Sequence, residues 1–261
     1  MAAKSFGEGQ LDRRIKPSSI SYIRDIELEF NHMAKRIESL VSDVKMLSTA
    51  VSHDLRTPLA RIRFGIDTIQ EVDDESLRKE LEEQLSDDVD EMTSLVETLL
   101  RYARLDQNML EIKKEPVDLA MLIKDCIKRK KSNRVTIQFI NDHDDNKIIS
   151  ADSKYIHMVI NNIIQNAINY GREKVLVELS YHNHNASIQI SDNGEGVPVE
   201  LREQIIKPFF RAKNRTNNIK GHGIGLAIVT RILDWHNGEL TISNATELSG
   251  SKFTITLPTN H

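Results

Sequence analysis

The sequence holds one cysteine, Cys126, so no disulfide can form within the chain, and this usage fits a reducing compartment. Cys126 lies in an apolar helical pattern and reads as a small buried hydrophobe. No run approaches the roughly 18–20 apolar residues that span a bilayer, and no signal peptide opens the chain, which implies a soluble chain. A basic excess is missing too: 35 Lys and Arg stand against 39 Asp and Glu, for a formal net charge of -4. That balance builds no attractive field for polyanions and argues against a nucleic-acid partner. Repeats and low-complexity tracts are absent. What is present is an ordinary globular composition, 39% apolar and 28% charged over 261 residues, enough for about two domains with real cores.

Residues 1–20 are mixed, with a break at Pro17-Ser18-Ser19. Beyond it, Phe30, Met33, Ile37, Leu40, Val44, Leu47 and Val51 alternate steps of 3 and 4. Such a heptad seam is narrower than the apolar stripe of a globular helix and needs a second helix to cover it. A parallel dimer is the economical solution. After Val51 the steps become 4 and 4 (Leu55, Leu59), then 3 and 4 (Ile62, Ile66), a stutter that locally unwinds a coiled coil. A polar, acidic connection over 71–76 follows, with Ser76 as the expected N-cap of a second helix. That helix repeats Leu77, Leu81, Leu85, Val89, Met92, Val96, Leu99 and Ala103. Two helices on a short loop make a hairpin, and two copies make a four-helix bundle.

Residues 107–116 carry no sustained period and read as a hinge between domains. Asp118 is placed to cap a helix reaching about residue 129. Strand-like runs at 135–140 and 148–149 precede a helix over 153–170. A hairpin over 175–181 and 186–190 turns at residues 182–185. A further helix at 223–237 leads to strands at 239–243 and 252–257. The expectation is a layered α+β domain with helices on one face of a mixed sheet.

Chemistry concentrates in a few stretches. Within the first helix, residues 50–59 place His53 beside Asp54, with Pro58 five residues after the histidine. Pro58 lacks an N–H and clashes with the carbonyl of Asp54, so it should kink or loosen the turn bearing His53. His53 precedes the seam position Leu55 by two residues and should point away from the bundle axis. Asn162 and Asn166 share one helix face, where a neutral amide oxygen can join the ligands of Mg2+, although helix-face polarity alone also explains the pair. Asp192 is followed by Gly194 and Gly196. These glycines let backbone approach a flat ligand, and a buried carboxylate could accept from an exocyclic amine; a plain tight turn is the other reading. Gly221, Gly223 and Gly225 alternate before a helix, which offers free N–H groups and a positive dipole end to phosphate. No Lys-Ser/Thr follows them and no Rossmann strand precedes them, so neither familiar phosphate loop applies. Arg211, Lys213, Arg215 and Lys220 form either a basic lid over phosphates or a solvated charged loop.

Taken in order, residues 53–58, Asn162 to Asn166, 192–196, 208–211 and 221–226 resemble the H, N, G1, F and G2 boxes of sensor histidine kinases, over about residues 45–257. Residues 9–15 and the later Phe30-Asn31-His32-Met33-Ala34 are similar to the second half of a HAMP linker. The H-D-L-R-T-P-L box resembles that of the HAMP-linked osmosensor and envelope-stress kinases. The resemblance implies a partial HAMP linker and coiled-coil connector over 1–40, a helical-hairpin dimerisation and phosphotransfer domain over 41–107, and an α/β-sandwich ATP-binding domain of the gyrase, Hsp90 and MutL type over 117–261.

It further implies that His53 is the phospho-acceptor, attacking through Nε2 while Asp54 accepts from Nδ1–H, with Arg56 and Thr57 in the same catalytic box. Thr57 would place the water that dephosphorylates a regulator. The implied nucleotide residues are Asn162, Asn166, Tyr170, Asp192, Gly194, Gly196, Phe209, Arg211, Gly221, His222, Gly223, Gly225 and Leu226, with Asn166 on Mg2+ and Asp192 on adenine. Superfamily ATPases carry a glutamate where this chain has Asn162, and His222 stands where the family often has a small hydroxyl residue. ATP and Mg2+ are the implied cofactors. The implied partners are a second copy of the chain and the receiver domain of a response regulator, with the membrane reached only through upstream transmembrane segments and this portion in the cytoplasm. Two rival readings stand beside it: a non-catalytic dimeric scaffold that uses nucleotide to set its conformation, and an ATPase of the same superfamily. An intact His53 and Asn166 argue against the first, and Asn162 against the second.

Overall fold

A computed structural model of the chain describes residues 5–6, 9–16, 21–108, 112–130, 136–141, 148–182, 184–212 and 221–259. Contacts divide the chain into two compact units, Met1–Met92 and Thr93–His261.

The first unit is built on helix α1 (Ser21–Glu71) and the beginning of helix α2 (Glu75–Asn108). The expected connection is three residues long, 72–74, and its cap differs from expectation. Asp74 Oδ1 accepts from Ser76 N at 2.8 Å and from Leu77 N at 3.4 Å, so Asp74 and not Ser76 is the cap. A carboxylate at the helix start also complements the dipole, which favours Asp74 over a hydroxyl two residues in. Helix α1 runs through Pro58 without ending, and the proline ring is buried. Gly65 brings the two helices close: a Cβ there would lie 2.7 Å from Leu85 Cδ2. Beside it Arg61 bridges half-buried Asp88 at 3.1 Å and exposed Glu91 at 3.0 Å, the latter an exposed pair worth at most about 1 kcal/mol.

Within α1, the side chain of Asn31 pairs with both backbone groups of Ile15, ahead of the helix, at 2.8 Å and 2.7 Å. Arg14 pairs with Glu38 farther along. On the seam, Met33 is 50% exposed, and Leu59, Ile66 and Val89 are similarly open to solvent. One chain leaves these apolar faces uncovered. The side chains of Leu40, Val44, Leu47, Val51 and His53 lie outside the described residues, so the expected outward direction of His53 does too.

The second unit carries strands β1 (Glu115–Asp118), β2 (Thr136–Asn141), β3 (Ile148–Ala151), β4 (Lys174–His182), β5 (Asn185–Asp192), β6 (Glu239–Asn244) and β7 (Ser251–Pro258), with helices α3 (Leu119–Lys128), α4 (Ser153–Tyr170) and α5 (Gly225–Trp235). The main sheet runs β2-β4-β5-β7-β6, with β2 and β4 parallel and the other pairs antiparallel, the mixed sheet expected. The predicted hairpin closes with His182 opposite Asn185.

The supposed hinge is a correction. Helix α2 continues to Asn108, and β1 pairs with β3, Val117 lying opposite Ile149. Glu115-Pro116-Val117-Asp118 contains one apolar residue, so no alternation announces it; burial of Val117 and pairing with β3 create the strand. Asp118 then caps α3 as expected, accepting from Met121 N at 3.0 Å. Cys126 is fully buried on α3, and burial pushes its thiol up to about 11, an inert hydrophobe at neutral pH.

Helix α4 carries the core stripe Tyr155, Ile156, Val159, Ile160, Ile163, Ile164 and Ala167, all buried, against α5 and strands β4 and β5. At about 1.5–3 kcal/mol for each large apolar side chain, this stripe dominates the unit's stability. Tyr155 meets Trp235 edge-on, with centroids 5.4 Å apart. His236, just past α5, pins the start of α4: its Nδ1 lies 2.8 Å from Ile232 O, and its Nε2 accepts from Asp152 N at 3.1 Å. Both contacts hold together only for the neutral ring, and burial pushes its pKa below the ordinary 6.5. The unfolded chain therefore binds this proton more readily. The contribution of His236 is complete above about pH 6.5 and is lost as pH falls towards the lowered value. Melting temperature should drop between about pH 7.5 and about pH 5.5, and His236→Gln should flatten that dependence. An unchanged slope in the variant would remove His236 from the account.

Candidate nucleotide-binding site

Asp192 ends β5, is 1% exposed, and its carboxylate is held by three donors. Gly194 N donates to Oδ1 at 2.8 Å, Ser251 N to Oδ1 at 3.3 Å, and Ser251 Oγ to Oδ2 at 2.5 Å. A carboxylate so held still has a lone pair to offer an incoming amine. Bare backbone surrounds it. A Cβ on Gly250 would lie 2.2 Å from Asp192 O, and one on Gly194 would lie 2.2 Å from Tyr170 O. Gly196 adopts φ +73° beside Gly250 O, a conformation that glycine reaches without strain. Ser251 and Gly250 are site residues that sequence reasoning missed. They lie 59 and 58 positions from Asp192, so no local motif links them.

Asn162 and Asn166 are both half-buried on α4, one turn apart. Asn162 Nδ2 donates to Met158 O at 2.8 Å, which leaves its Oδ1 aimed elsewhere: a Cβ on Gly225 would lie 2.9 Å from that oxygen. The last of the three alternating glycines thus lets the start of α5 approach the asparagine helix. Leu226 follows it, buried, and Tyr170 at the end of α4 is 47% exposed. The α5 N-terminus has Ile224 at its cap position, and no side-chain hydrogen bond from the cap residue closes its first N–H groups.

Phe209 and Gly223 meet as well. Phe209 N donates to Gly223 O at 2.9 Å, with Phe209 itself at φ +62°. Gly223 has φ +70°, and a Cβ there would lie 2.9 Å from Phe210 O. A Cβ on Gly221 would meet nothing within 4 Å among the described residues, but its φ of +152° is itself one that side-chain-bearing residues rarely adopt. Gly223→Ala should therefore cost about 1–3 kcal/mol in a melt; an unchanged melting temperature would contradict the contact. His222 Nε2 lies 3.4 Å from Ser94 Oγ, and Arg211 is exposed. Lys213, Arg215 and Lys220 of the expected lid lie outside the described residues.

His53, Asp54, Arg56 and Thr57 belong to the first unit, all within helical α1, with Arg56 and Thr57 exposed and Asp54 half-buried. The remaining predicted site residues belong to the second. A cavity of about 420 Å³, lined among others by Glu195, Gly196, Arg202, Asn244 and Gly250, opens beside the Asp192 cluster; Asn162, Asn166 and Asp192 do not line it.

Among the described residues no group of three or more His, Cys, Asp or Glu side chains could hold a metal. The donor set suits Mg2+ only as it occurs with nucleotide, held by one neutral side-chain oxygen with phosphates and water completing the shell. Asn166 fits that role.

Comparison with known proteins places the two domains in known families. Residues 43–108 match the His Kinase A (phospho-acceptor) domain, and residues 151–261 match the histidine kinase-, DNA gyrase B- and HSP90-like ATPase family. The fold and these two domains, in this order, are those of the histidine kinase class. More narrowly, the chain belongs to the sensor histidine kinases of two-component systems. It is 29% identical over 267 residues to the sensor protein RstB of Escherichia coli K12, covering 100% of this chain and 59% of RstB. It is 33% identical over 216 residues to the sensor protein kinase WalK of Staphylococcus aureus, covering 80% of this chain and 52% of WalK. Among solved structures, the Acinetobacter baumannii histidine kinase AdeS superposes with a TM-score of 0.59 at 25% identity, over 80% of this chain and 98% of that one. The chain thus spans little more than half the length of these two sequence relatives.

Proposed function

We propose that the chain transfers the γ-phosphoryl group of ATP to Nε2 of His53 and passes it to an aspartate of a response regulator. The observation that carries this reading is the Asp192 carboxylate, buried among glycines that keep the adjoining backbone bare. ATP supplies the phosphoryl group. The residues of the chain supply position and charge. Asp54 accepts from Nδ1–H and turns the ring so that Nε2 presents its lone pair. Asn166 shares in holding Mg2+, while Arg211 and the N-terminus of α5 offset phosphate charge. Asn162 brings an amide, unable to take a proton from water, to a place where ATPases of this superfamily need a base; that supports histidine over water as the nucleophile.

The proposed domains are 1–40 as connector, with the clasp between Asn31 and Ile15 supporting an ordered entry to α1, 41–107 for dimerisation and phosphotransfer, and 117–261 for ATP. A second copy covers the open apolar faces of α1 and α2 as a four-helix bundle. The whole protein is a membrane-anchored sensor with this portion in the cytoplasm, a reading supported by the greater length of RstB and WalK. No helix of the described residues is long and apolar enough to cross a membrane.

With Mg2+ and γ-labelled ATP the chain should take up label, and an added receiver domain should remove it. ATP bound without any label would shift the reading to the conformational scaffold. The second activity proposed is dephosphorylation of the regulator, with water placed by Thr57, exposed one turn after His53. Thr57→Ala should leave autophosphorylation within about twofold and slow dephosphorylation roughly tenfold or more; equal losses in both would remove that role.

A further inference from the structure

Asn193 sits between Asp192 and Gly194, and its side chain does something neither neighbour can. Its Oδ1 accepts three consecutive backbone N–H groups, from Arg172 at 3.0 Å, Glu173 at 3.0 Å and Lys174 at 3.1 Å. Those residues lead from the end of α4 into β4. One side-chain oxygen therefore ties the exit of α4, which carries Asn162, Asn166 and Tyr170, to the end of β5, which carries Asp192. Successive N–H groups converging on one point form a concavity suited to an anion or a strongly polar oxygen.

The junction has no slack. A Cβ on Gly171 would lie 2.4 Å from Ala167 O and 3.3 Å from Asp192 Cβ, and Gly194 offers no more room against Tyr170 O. Moving the α4 exit by a fraction of an ångström must move Asp192, or the reverse. We infer that Asn193 is a positioning residue of the nucleotide site, whose amide oxygen sets the span between Asn166 on the phosphate side and Asp192 on the adenine side. It acts through those two residues. The inference rests on the nucleotide-site reading given above.

The chemistry of the clasp makes a specific test possible. Asn193→Asp keeps an oxygen at the meeting point of the three N–H groups; Asn193→Ala leaves them to water. The full chain, with Mg2+ and a non-hydrolysable ATP analogue, is titrated by calorimetry for wild type and both variants, alongside thermal melts and the KM for ATP and kcat of autophosphorylation. Asn193→Ala should raise Kd and KM about tenfold while kcat at saturation stays within about twofold, and Asn193→Asp should restore binding to within about threefold. If the alanine chain does not fold, Asn193→Ser, whose hydroxyl stops short of the three N–H groups, provides the same comparison. A lowered melting temperature with unchanged Kd and KM would reduce Asn193 to a turn stabiliser and overturn the inference. Equal impairment of the alanine and aspartate variants would overturn it too. Wild type that fails to bind the analogue would instead overturn the nucleotide-site reading, and the inference with it.

Discussion

Replacing Asp192 should abolish nucleotide binding, and two substitutions should separate that loss from damage to the fold. Asp192→Ala removes the acceptor of Gly194 N, Ser251 N and Ser251 Oγ in a place that is 1% exposed. Buried donors left without a partner cost about 1–3 kcal/mol each, so the alanine variant, which strands three of them, should lose about 3 kcal/mol of stability or more along with its ligand. Asp192→Asn is the sharper change. Its amide oxygen can still accept from Gly194 N, and its NH2 can donate to Ser251 Oγ once that hydroxyl rotates. The fold is kept, but the group facing an exocyclic amine is now a donor. Donor against donor should cost roughly a hundredfold in affinity, about 2.7 kcal/mol, with the melting temperature nearly unchanged. Calorimetry with the Mg2+ complex of ATP reads the first quantity and a thermal melt the second. An asparagine variant that binds ATP normally would remove Asp192 from the adenine site.

Asn166→Ala should abolish phosphorylation through the metal. Asn166 stands one turn beyond Asn162 on α4 and is only half-buried, so truncating it leaves the core stripe from Tyr155 to Ala167 intact. Folding should therefore survive. The loss falls on a ligand that Mg2+ takes along with the phosphates, and on charge compensation during transfer, worth about two orders of magnitude or more in rate. The variant should also lose the dependence of nucleotide affinity on Mg2+ that the wild type shows. Unchanged ATP affinity and rate would refute the assignment.

How much of this was legible in the sequence depended on how local the cause was. The helix over 153–170 is found with the bounds expected, because a continuous apolar face begins after Asp152, whose carboxylate accepts from Lys154 N and Tyr155 N, and ends at Gly171. The hairpin at 182–185 was equally local. The two ends of the second helix were not. Asp74 displaced Ser76 as cap because several polar residues in a row could each do the work, and only geometry selects one. Its far end and β1 fell inside what reads as a hinge, since Glu115 to Asp118 owe their strand to β3, some 30 residues on.

The site divides in the same way. The glycine clusters, Asp192 and the asparagine pair stand out because helix starts and tight approaches impose short-range spacing. Their joining does not. Asn162 against Gly225, Phe209 against Gly223, Ser251 against Asp192 and Asn193 against the α4 exit are contacts between distant segments, which no periodicity encodes. Gly65 is a milder case: a glycine inside a helix carries a cost of about 1 kcal/mol, and Leu85 packed against it supplies the reason.

If His53 receives phosphate from ATP, labelling must depend on that one side chain. Wild type and His53→Gln are incubated with Mg2+ and γ-labelled ATP, and the labelled bond is then exposed to acid and to alkali. Wild type should carry label that is lost in acid, survives alkali and is absent from the variant. Label that persists in His53→Gln, or that survives acid, would contradict it.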